Sequence, residues 1–92
     1  MNPDWERLRR RTWHAELSFL HSEVATGLTF ARIALNASDD DKMSRNAQNA
    51  RTAYQTAMSY LSGFPAGTPE LADIQASMST LRQMLNALEK RH

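Results

Sequence analysis

The stretch WHAELSFLHSEVATGLTFARIALN, residues 13–36, decides the fold. Its apolar or small residues Trp13, Leu17, Leu20, Val24, Gly27, Ala31 and Ala34 recur in alternating steps of three and four, which places them on one face of an α-helix. The same rhythm returns at Met43, Ala47, Ala50, Tyr54, Ala57, Leu61 and Phe64, and again at Leu71, Ile74, Met78, Leu81, Leu85 and Leu88. Folding the chain back near Ser38 and near Ala66 sets the three series opposite one another in layers. Leu17 meets Leu61 and Leu71, Leu20 meets Ala57 and Ile74, Val24 meets Tyr54 and Met78, and Gly27 meets Ala50 and Leu81. The pattern predicts an all-α, antiparallel up-down-up three-helix bundle with a long first helix, residues 1–92 forming a single helical domain.

Helix punctuation agrees with these boundaries. Asn2, Pro3 and Asp4 supply an N-cap amide, a proline already holding helical φ, and an acid at the positive end of the dipole. Asn36 is expected to end the first helix in a left-handed conformation, and Ser38 with Asp41 three residues on forms a capping box for a second helix over about 39–62. Gly63 is expected to supply the left-handed residue closing that helix, with Phe64 folding back on Met58 and Pro65 preventing continuation. Thr68, Pro69 and Glu70 repeat the start signature for a third helix, which runs to about Lys90 with a basic last turn.

Ninety-two residues with 41% hydrophobic and 23% charged content fit one small globular domain. Cysteine is absent, which removes disulfides, thiolate nucleophiles and cysteine metal sites together, suits a reducing compartment and makes the cytoplasm the expected location. The arginine-bearing start lacks the apolar centre of a signal peptide, and no run of about 18 apolar residues offers a membrane span. A net charge of +1 is too small for bulk attraction to nucleic acid or anionic lipid.

A second apolar stripe lies on helix one. Trp5, Leu8, Thr12, Ala15, Phe19, Thr26, Phe30, Ile33 and Ala37 cluster about 120° from the core face, with Glu16 and Glu23 between the two. One reading makes Phe19, Phe30 and Ile33 fill gaps left by the small residues Gly27, Ala31, Ala47 and Ala50. The other makes them the contact for a fourth helix, from a second copy of the chain or from another protein. Trp5 and Leu8 extend beyond the shorter second helix beside arginines, a composition that marks binding hot spots; the alternative buries Trp5 on Phe64 or Pro65.

Candidates for chemistry are few. His14 and His21 share a face with Ser18 and Arg32 but stand about 10 Å apart along the axis, too far to grip one metal unaided. Asp39, Asp40 and Asp41 lack the glycine and distal glutamate of a calcium loop and read as helix-start acids. Glu16 and Glu23 are followed at the third position by Phe19 and Thr26 rather than histidine, so no di-iron motif forms. With no phosphate loop or nucleophile elbow, the expectation is a non-catalytic chain without cofactor or metal. Arg7, Arg10 and Arg11, near Trp5 and Trp13, are candidate phosphate contacts.

Gly27 and Phe30 on one helix, with Ala50, Tyr54 and Ala57 on the next, resemble the small and aromatic positions of a tetratricopeptide helical hairpin. With the third helix added, the whole resembles the three-helix microtubule-interacting-and-trafficking type of module. That resemblance implies a role in binding helices.

The expected function is a protein-protein interaction module that self-associates, as a dimer, through Trp5, Leu8, Phe19, Phe30 and Ile33, or that captures a partner helix. The alternative is a small nucleic-acid-binding or regulatory protein using the Arg7 to Arg11 segment. Charge disfavours nucleic acid, and no membrane contact is expected.

Overall fold

A computed structural model describes the backbone of residues 3–91 and the side-chain surroundings of residues 12–91. Three helices follow in order, α1 (Pro3–Asn36), α2 (Asp40–Leu61) and α3 (Ala72–Lys90), and α1 is packed by both of the others. Among the described residues there is no strand. The chain is an all-α three-helix bundle. Arg91 at the end of α3 donates from its guanidinium to the Leu35 carbonyl oxygen at 2.6 Å, so α1 and α3 finish at the same end of the bundle. That contact meets one of the four carbonyls every helix leaves unpaired at its C-terminus, with a cation where the dipole favours one.

Four caps differ from their sequence expectations. The N-cap of α2 is Asp39, not Ser38: the Asp39 backbone is extended and its carboxylate accepts from the Asp41 N–H at 2.9 Å. An aspartate so placed also puts charge at the positive end of the dipole, an advantage the Ser38 hydroxyl lacks. Neither Asn36 nor Gly63 is left-handed. Helix α1 closes with its last turn tightened by Ala37 N–H donating to Ala34, and α2 closes through Ser62 and Gly63 N–H groups donating to Met58 and Tyr60. The one positive φ among the described residues is at Gly67, +79°, inside the connector rather than at a helix end. Thr68 does not cap α3 with its side chain. Its hydroxyl donates back to the Pro65 carbonyl at 2.6 Å, and residues Pro69–Leu71 make a 3-10 turn before α3 begins at Ala72.

The core has two connected ends. Towards the α2–α3 connector, Leu17, Leu20, Val24, Ala57, Phe64, Leu71, Ile74 and Met78 are buried together, with Trp13, Tyr54 and Leu61 packed at the edge. Towards the α1–α2 turn the cluster is Ala31, Ala34, Met43, Ala47, Ala50, Leu81, Leu85 and Leu88. Phe64 does not fold back on Met58. It is buried, with its ring 5.9 Å from that of Trp13, while Met58 is 45% exposed. Burying an aromatic at the open end of a bundle removes far more apolar surface from water than a contact with a surface methionine would.

Small residues set the spacing between α1 and α2. A Cβ on Gly27 would lie 2.7 Å from Leu81 Cδ2 and 3.2 Å from Ala53 Cβ. Leu81 opposes Gly27 as the register predicts, but the near neighbour on α2 is Ala53 rather than Ala50. Ala53 is buried although it lies outside the predicted seven-residue series. Leu28 and Leu35 also widen the buried arc of α1, on the side where α3 lies.

Candidate interaction surface

The second stripe of α1 divides. Phe30 and Ala37 are half-buried against the cluster at the α1–α2 turn, so part of the stripe fills space beside the small residues of α2. Phe19 and Ile33 are 38% and 36% exposed, and Ala15 and Thr26 are exposed with them. Phe19 is not isolated. Its ring lies 4.6 Å from that of Tyr60 on α2, tilted by 46°, and Tyr60 is itself 43% exposed. The stripe therefore runs along the seam between α1 and α2, and the two aromatic rings straddle that seam at one end.

Helix α3 leaves this seam open. It packs chiefly against α1, on the side of Leu28 and Leu35, and only lightly against α2. Glu16 and Glu23 border the seam as half-buried residues, and among the described residues neither makes an ion pair. Tyr60 is the residue that the sequence pattern left out. Its own line on α2 continues through Thr56, Asn49 and Lys42, which are polar, so no apolar periodicity drew attention to it. The side chains of Trp5, Leu8, Arg7, Arg10 and Arg11 lie outside the described residues; the Trp13 indole packs on Phe64.

On the other side of α2, Arg51, Tyr54, Gln55, Arg82, Leu85, Asn86 and Glu89 line an open groove of about 340 Å³ between α2 and α3. The Arg51 guanidinium is engaged by Gln48 at 3.2 Å. The groove offers hydrogen-bonding groups but no serine, cysteine or histidine to act as nucleophile or base.

His14 and His21 are both exposed, the His14 ring lying 6.2 Å from that of Trp13. No group of three histidine or carboxylate residues gathers at metal-binding distance among the described residues, and no described helix is long and apolar enough to cross a membrane. Changing both histidines to glutamine should leave helicity and melting temperature unchanged, and stoichiometric zinc should not raise that temperature, because a ligand stabilises a fold only by binding its native state. Zinc-dependent stabilisation in calorimetry would contradict this. Compared with protein-family models, curated proteins and solved structures, the chain matches none of them.

Proposed function

We propose that the chain is a non-catalytic protein-protein interaction module that self-associates through the seam between α1 and α2. The Phe19–Tyr60 pair carries this reading: two large rings contact each other across the seam while each keeps about two-fifths of its surface in water. Exposed aromatic pairs of this kind bury much area at small entropic cost when a partner covers them. Size argues in the same direction. The chain exposes 6395 Å², against about 5,400 Å² for a compact monomer of its mass. Its core also contains five alanines on α2 and α1 with no accessible surface, so each buried layer contributes little, and small domains without disulfides often gain stability by association.

The test pairs Phe19→Glu with Ile33→Glu. Both positions are exposed in the single chain, so circular dichroism should show the helices intact, while light scattering should show the mass falling to one chain as unpaired charge is forced into the contact. Unfolding of the variant would assign the stripe to the internal core. A wild-type chain that stays monomeric throughout the accessible concentration range would refute self-association.

A further inference from the structure

The groove between α2 and α3 carries charge of one sign in its middle. Between Asp41 and Glu70 the sequence has no acid, and none between Asp73 and Glu89, while Arg51 and Arg82 fall inside those two stretches. Both arginines line the groove, Arg51 half-buried on α2 and Arg82 exposed on α3. Glu89 is the one carboxylate that lines it, and among the described residues neither arginine makes an ion pair with Glu89 or with any other acid. Asp40 and Asp41 begin α2 and Asp73 begins α3, about 14 to 15 Å along each helix from its arginine and so beyond the screening length of about 10 Å in ordinary buffer. Arg45, on α2, lies outside the groove and adds to the cationic side.

We infer that this groove binds a small organic oxyanion, a phosphate monoester or carboxylate attached to an apolar body. Two guanidinium groups on facing helices suit one oxyanion, because each offers planar paired donors to its oxygens. Arg51 is partly held in place: one Nη donates to Gln48 at 3.2 Å, which leaves four of its five N–H groups for a ligand. The Gln55 and Asn86 amides add donors along the same walls. Buried Leu85 and half-buried Tyr54, packed against both core clusters, supply the apolar part. The volume, about 340 Å³, is at the lower end of the range for small-molecule sites. A long polyanion is disfavoured, since one laid along the groove would meet Glu89 within it and aspartates at the start of either helix. The site is independent of self-association. Arg51 is nine residues, about two and a half turns, from Tyr60, which puts it on the opposite face of α2 from the seam.

Titration with phenyl phosphate, followed by backbone amide NMR in about 20 mM salt, tests this. Shifts should gather at residues 51–55 and 82–89. Arg51→Gln and Arg82→Gln should each weaken binding about tenfold, Glu89→Gln should tighten it, and Arg45→Gln should change it less than about twofold. Benzoate distinguishes the two oxyanions: the tighter of the two probes names the class. Arg82 is exposed, so its variant decides the matter if the half-buried Arg51 proves necessary for folding. Inorganic phosphate binding as tightly as phenyl phosphate would overturn the apolar part of the site. An equal loss in Arg45→Gln, or no binding of either organic probe, would overturn the site altogether while leaving the seam between α1 and α2 standing.

Discussion

Gly27→Leu is expected to be among the most damaging single substitutions in this chain, lowering stability by about 3 kcal/mol and the melting temperature on the order of 15 °C. A single methyl at this position already comes within 2.7 Å of Leu81, which is fully buried and hemmed in by the core, and within 3.2 Å of Ala53. An isobutyl group has nowhere to go without pushing α1 away from Leu81 on α3 and from Ala53 on α2. The smaller change Gly27→Ala sets two effects against each other: it gains about 1 kcal/mol of helix propensity and meets the same methyl clash. Shortening Leu81 removes the obstacle. Gly27→Ala should therefore stabilise a Leu81→Ala chain relative to that single variant, by more than it changes the wild type. Calorimetry at fixed protein concentration checks both statements. Equal effects of Gly27→Ala in the two backgrounds would mean that Leu81 does not oppose this glycine.

The second large effect is expected at Phe64. Its replacement by alanine should cost about 3 kcal/mol, the lower part of the range for buried phenylalanine, because a cavity at the end of a bundle is partly relieved by water and by the Trp13 ring. Trp13 fluorescence should shift to the red as its neighbour is lost. Met58→Ala is the control, since a side chain with nearly half its surface in water should change stability by less than about 0.5 kcal/mol. If Met58→Ala proves as harmful as Phe64→Ala, Phe64 folds back along α2 instead of sealing the core.

Element identity and helix order were legible because apolar residues at helical spacing have one efficient way to leave water, and three such series of matched length must face one another. Buried Leu20, Ile74, Leu81 and Leu88 were all found this way. Residues that escaped notice did so for two physical reasons. Ala53, Leu28 and Leu35 sit at the flanks of the buried arcs, and a strict seam of three and four omits the flanks although close-packed helices bury them. The caps failed because competing local signals were nearly equivalent: Ser38 and Asp39 are both good N-caps, and Gly63 and Gly67 can both reverse the chain. Tyr60 escaped because its neighbours along α2 are polar. A contact made by one aromatic residue from each of two helices leaves no period in either.

One consequence of the fold concerns hydrodynamics. The bundle measures 57 by 21 by 15 Å, and its radius of gyration is 15.9 Å, against about 12 Å for a compact domain of this length. Such a rod tumbles and elutes like a rounder protein of greater mass, so an early peak from a sizing column is expected of the monomer and says nothing about association. Shape itself can report it. Two rods lying side by side in full overlap double the mass while barely lengthening the particle, so the maximum dimension from small-angle scattering should then remain close to that of one chain as the cross-section widens. Joining end to end would instead nearly double the length.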